Sequence, residues 1–134
     1  MAKVIIFENE NGNVSVCVPT GELPIQDVLF KDCPSHAIIV DESELPTADN
    51  DFFNAWELKA GKVSVNLVKA KEITKSRLRA ERAPLLVAQD VAFQRALESG
   101  ADTAAIVAEK QRLRDVTNLA DKCKTLKALR EIIV

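Results

Sequence analysis

What the chain lacks narrows its chemistry before any motif is considered. The four glycines stand alone at positions 12, 21, 61 and 100, so no glycine-rich strand-to-helix loop is present to cradle a nucleotide phosphate. Five prolines and four glycines in 134 residues leave no low-complexity tract. The longest early apolar run, Val4 to Phe7, stops at Glu8. It is too short for a signal peptide or a membrane span, so no membrane association is expected and the chain is expected to stay in the cytoplasm in which it is made. Histidine occurs once, at His36, and cysteine three times, at Cys17, Cys33 and Cys123. Cys33 and His36 have the two-residue gap of a zinc half-site, yet neither Cys17 nor Cys123 has a second ligand nearby in sequence. The same pair lacks an orienting acid or an oxyanion donor that would make it nucleophilic. Cys17 and Cys123 are expected as buried, reduced thiols. Asp41, Glu42, Glu44, Asp49 and Asp51 do not follow a calcium-loop spacing and have no turn glycine, which makes them a solvated acidic loop. No catalytic residue, cofactor site or metal site is therefore assigned.

What is present is unevenly distributed. Residues 1–66 hold four lysines, no arginine and eleven acids, whereas residues 67–134 hold seven lysines, seven arginines and nine acids. The hydrophobic share of 47% with 28% charged residues is that of a folded chain, and 134 residues can bury a sizeable core. The acidic half reads as strands and turns. Lys3 to Glu8 and Val14 to Val18 flank an Asn-Gly pair and predict a hairpin. Ile25 to Phe30 predicts a brief helix, His36 to Val40 a third strand, and Asp49 to Trp56 a single helical turn capped by Asp49 or Asn50. Trp56 to Leu58 and Lys62 to Asn66 predict a second hairpin, with Val63 and Val65 on one face.

From Leu67 the apolar period lengthens to about 3.6 residues. Leu78, Leu85, Leu86, Phe93, Ala96 and Leu97 fall near one stripe. Pro84 inside it is expected to kink the helix or split it after Arg82. Gly100 is placed at the C′ position and Asp102 at the next N-cap. Thr103, Ile106, Val107, Lys110, Leu113 and Thr117 lie on one side of the second helix, which must run antiparallel to the first across so short a connection. Leu119 to Val134 predicts a weaker terminal helix. The fold class expected is α+β: an acidic antiparallel β subdomain over residues 1–66, then a basic α-helical hairpin region over residues 67–134 that closes with a short C-terminal helix.

A narrow apolar seam on a helical hairpin has to be covered by the β half, a second copy or a partner segment. Leu85, Leu86, Val91, Phe93 and Leu97 are the candidates for that contact, with Arg79 and Arg82 beside them; the competing assignment is that all five are intramolecular core, Leu86 and Phe93 first among them. A homodimer is one expected outcome. Nucleic-acid binding through Lys69, Lys71, Lys75, Arg77, Arg79 and Arg82 is the rival reading of the basic helix 69–82. Against it, Glu72 and Glu81 interrupt the cations, their positions wind around the helix, and Phe93 is the one aromatic of the second half.

The order of motifs in this region resembles a known family. Lys69-Ala70-Lys71-Glu72-Ile73, Leu78 to Leu86 (LRAERAPLL), Phe93-Gln94-Arg95-Ala96-Leu97-Glu98 and Lys110 to Thr117 (KQRLRDVT) are similar, in order and spacing, to the C-terminal region of bacteriophage tail-fibre assembly proteins and tail-assembly chaperones. The likeness covers about fifty residues, roughly 68–117. Thr125 to Leu129 resembles the family's closing segment, with Arg130 to Val134 in place of a terminal tryptophan-proline. The resemblance implies a non-catalytic protein-binding factor of virion assembly, whose partner is a phage tail-fibre protein and whose place is the bacterial host cytoplasm. Some members stay on the particle, so a structural tail component retained in the virion is the other role it implies.

Overall fold

The computed structural model describes residues 2–134, which divide into two compact units, one ending at Ala70 and the other spanning Lys71–Val134. The architecture is α+β, with small antiparallel sheets in the N-terminal half and helices dominating the rest.

In the first unit Lys3–Glu8 (β1) pairs antiparallel with Val14–Cys17 (β2) on one side and with Ile38–Asp41 (β3) on the other, giving the order β2-β1-β3. The β1–β2 turn is set by Asn9, whose side-chain oxygen accepts from the amides of Asn11 and Asn13 at 3.0 and 3.2 Å. Strand alternation sorts the side chains. Val4, Ile6, Val14, Val16, Ile38 and Val40 share one face and enter the core with Leu45 and Trp56. Ile5 shares the other face with its register partners Cys17 and Ile39, and it is fully buried. Ile25–Asp32 (α1) joins β2 to β3 and buries no residue completely.

Between Thr47 and Ala55 the chain forms a 3-10 segment interrupted at Asp49 and Phe52, starting after Pro46. In place of the single helical turn expected from Asp49 to Trp56, the chain forms a longer, kinked 3-10 segment. Three residues per turn place Phe52 and Ala55 on the same side, and both are buried. The main-chain oxygen of Asp49 accepts from Trp56 Nε1 at 3.3 Å. Trp56–Lys59 (β4) and Lys62–Val65 (β5) then form the second hairpin, turning at Ala60 and Gly61, both with positive φ. Leu58, Val63 and Val65 are half-buried against the core.

Asn66 starts the long helix. Its side-chain oxygen accepts from the Lys69 amide at 3.1 Å, while its amide nitrogen donates to Glu57 Oε2 at 3.0 Å. Leu67–Ser99 (α2) follows as one helix of 33 residues. It is not split at Arg82. Pro84 deprives the Ala80 carbonyl of its usual donor, but both residues are exposed and solvent can replace it. The helix ends in a Schellman arrangement, with Gly100 at φ +72°, its amide donating to Leu97 O and the Ala101 amide to Ala96 O. The N-cap of Ala104–Asp115 (α3) is Thr103, one residue after the expected Asp102 and without a side-chain bond of its own, while Asp102 Oδ1 accepts from the Ala104 amide at 3.0 Å. The weak terminal helix is two short ones, Asn118–Asp121 (α4) and Leu126–Glu131 (α5), the latter capped by Thr125 through the Ala128 amide.

Within the second unit the buried side chains are Thr74, Leu78, Leu113, Val116, Ala120, Leu129 and Ile132. Truncating one of the buried leucines there costs about 2–5 kcal/mol. The core therefore sits at the start of α2 and draws on α3, α4 and α5. Farther along the hairpin, Arg82, Leu86, Gln89, Phe93 and Ala96 are half-buried at spacings of four, three, four and three. Lys110 marks the facing helix, pairing with Asp90 at 2.6 Å and lying 5.2 Å above the Phe93 ring.

Candidate partner-binding surface

The basic cluster of α2 is largely engaged with its own chain. The Arg82 guanidinium donates to Leu113 O at 3.3 Å and Arg114 O at 2.8 Å, at the C-terminal end of α3. Arg77 donates to Leu129 O and Ile132 O at 3.3 and 2.9 Å, at the end of α5, and pairs with Glu81 at 3.1 Å. Lys71 donates to Asp121 O at 3.2 Å, and Lys75 meets the Asp121 carboxylate at 2.7 Å, both at the end of α4. That contact, first the hydrogen bond and then the charge of Asp121, raises the Lys75 pKa. Three helices thus present their negative C-terminal ends to cations of a fourth. Lys69 reaches Gly12 O at 3.5 Å, which leaves Arg79 as the member of the six without a hydrogen bond or ion pair among the described residues.

This changes how the two arginines beside the seam are read. Arg82 closes α3 and is half-buried, whereas Arg79 is exposed and available. Of the apolar candidates, Leu86 and Phe93 lie in the half-buried seam against α3, while Leu85, Val91 and Leu97 are 41%, 45% and 54% exposed. One stripe therefore does not hold all of them. Val107 also leaves the seam, at 51% exposed.

A second apolar line runs along the opposite side of α2. Ala80, Pro84, Val87 and Val91 recur at spacings of four, three and four, all exposed, with Val87 at 61%. Leaving valines on water forgoes the burial free energy of each, about 1.5–3 kcal/mol for a fully buried side chain. Val87, Pro84 and Ala80 were not among the contact residues expected from the sequence. The signal was available: the 4-3-4 recurrence is in the residues, masked by the larger leucines and Phe93 on the other side.

The remaining candidates take separate partners. His36 Nε2 donates to Glu8 O at 3.0 Å and packs edge-on against Phe7, whereas burial above all pushes the Cys33 thiol pKa up. Asp41 pairs with Lys3 at 3.1 Å. No group of three His, Cys, Asp or Glu side chains among the described residues is arranged to hold a metal ion, and no helix is long and apolar enough to cross a membrane. Comparison with protein-family models, with curated proteins and with solved structures finds no match to this chain.

Proposed function

We propose that the chain is a non-catalytic protein-binding factor that assists assembly of a bacteriophage tail fibre, and that its client docks along the outer line of α2. The exposed line Pro84, Val87 and Val91 is the observation that carries the docking surface. Such an apolar helix face suits a partner helix or an extended segment that brings its own apolar residues. Arg79 adds a free cation beside it. The phage assignment is supported by the order and spacing of the motifs between residues 68 and 117.

Co-expression tests the reading. The tail-fibre protein made from the neighbouring gene should be insoluble or untrimerised when produced alone, and soluble and captured with this chain when both are made. A Val87→Asp/Val91→Asp double variant should keep its helical circular dichroism and lose both effects. A fibre that folds equally well without the chain would remove the assembly role.

A further inference from the structure

We propose that the open edge of β3, with the concavity beside it, is a docking site for an extended partner segment that carries an apolar residue between basic ones and adds antiparallel to the sheet. The site lies within the first unit and rests on neither the phage assignment nor the outer line of α2. In the order β2-β1-β3, strand β3 pairs on one side alone. The register and two end contacts fix which way its main chain points. The Glu42 amide donates to Ala2 O at 2.9 Å and the Asn9 amide to Asn13 O at 2.8 Å, so the even residues of β1 bond to β3 and the odd ones to β2. Ile38 and Val40 therefore turn their amides and carbonyls to β1, whereas Ile39 and Asp41 turn theirs outward. Neither of those two takes part in a main-chain hydrogen bond outside the ladder among the described residues. Their amides and carbonyls stand at the spacing that one added strand satisfies.

Side chains supply the specificity. A partner residue laid opposite Val40 stands in a pair without direct hydrogen bonds, where side chains approach closely, and it points to the face that Val40 shares with Ile38. On that face a concavity of about 430 Å³ is lined by Ile6, Val40, Leu45 and Val63, with Glu44 and Lys62 exposed at its edge. It has room for a leucine, isoleucine or phenylalanine side chain, and its apolar lining favours one. The residues on either side of that anchor fall opposite Ile39 and Asp41. Asp41 pairs with Lys3 at 3.1 Å, but Glu42 and Glu44 beyond it are exposed and have no ion pair among the described residues. Residues 1–66 hold eleven acids against four lysines, so charge selects a cationic segment and repels an acidic one.

The test titrates the full isotope-labelled chain with the acetylated, amidated peptide Lys-Thr-Lys-Ile-Lys-Thr-Lys and follows its amides by NMR. Expected are saturable shifts centred on β3 and slowed exchange of the Ile39 and Asp41 amides, while Val14 and Val16 on the far edge exchange as before. Asp41 has φ −71°, which proline adopts, so Asp41→Pro deletes an outward donor at little cost to the fold and should weaken binding roughly tenfold or more. Should that variant lose its native melting curve, the peptide N-methylated at the two lysines beside isoleucine removes the same ladder from the partner's side, with the same loss expected. Glu42→Lys/Glu44→Lys should weaken binding and flatten its dependence on salt. Replacing the peptide's isoleucine with serine should abolish saturation. The proposal is overturned by the absence of saturable shifts at about 1 mM peptide, by equal affinity for the N-methylated peptide, or by equal affinity for the serine peptide, which would leave charge attraction alone.

Discussion

Arg82 donates to the main-chain oxygen of Arg114 at 2.8 Å, 32 residues away, so one arginine stabilises the end of the helix that carries another. The bond is charge-assisted and meets a carbonyl that α3 itself cannot satisfy. A cluster that looks in sequence like a nucleic-acid-binding surface is here part of what holds the helices together.

Arg82→Ala should therefore lower stability by about 1–2 kcal/mol, through lost capping and two stranded carbonyls. Arg79→Ala, three residues earlier and exposed, should stay within about 0.5 kcal/mol of wild type. Urea unfolding followed at 222 nm separates the two. Equal effects would mean that the Arg82 contact contributes nothing.

Aspartate substitutions should distinguish the two sides of α2. Leu86→Asp/Phe93→Asp places carboxylates in the half-buried seam against α3 and should cost several kcal/mol, melting the hairpin. Val87→Asp/Val91→Asp lies on the exposed line and should leave the melting curve nearly unchanged. Comparable losses of helix signal in both would show that the outer line is already covered.

Gly100→Ala isolates a backbone effect. A Cβ built there meets nothing within 4 Å, so the whole cost comes from holding an L-residue at φ +72°. About 1–2 kcal/mol is expected, and less for Gly100→Asn. Differential scanning calorimetry should order the three melting midpoints as Gly, Asn, Ala from highest to lowest.

Acid should weaken the start of α2. The Asn66 side-chain hydrogen bond, helped by Lys59, lowers the Glu57 pKa from 4.5. A carboxyl whose folded value is depressed adds stability above its unfolded pKa and loses it as pH falls through the folded value. The stability gap between wild type and Glu57→Gln should thus be larger at pH 7 than at pH 3. A gap independent of pH would assign the difference to packing.

Much of this fold was legible in the residues, because its strands and caps are local. The Asn9 turn, the alternation of Val4 to Ile6, Gly100 and Asp102 each act within a few positions of themselves. Two things were not. Residues 47–55 take 3-10 geometry because Phe52 and Ala55 must both reach a core made by distant strands. The helix-capping roles of Lys71, Arg77 and Arg82 depend on carbonyls about 31 to 55 residues later, which no spacing rule within α2 could disclose. On the candidate surface, Leu85, Val91, Leu97 and Arg79 emerged from the sequence. The Val87 line was hidden by leucines that serve the seam.

The capping of α3 by Arg82 also orders events in time. During synthesis at roughly 5–20 residues per second, Arg82 leaves the ribosome about two to six seconds before Arg114 supplies its acceptor. Asn66 and Glu57 have already emerged, so the helix has its first-turn cap, and Arg77 can find Glu81 four residues on. Through that interval the nascent helix shows its valines and uncommitted arginines together, and any protein that engages this face has its earliest opportunity before the hairpin closes.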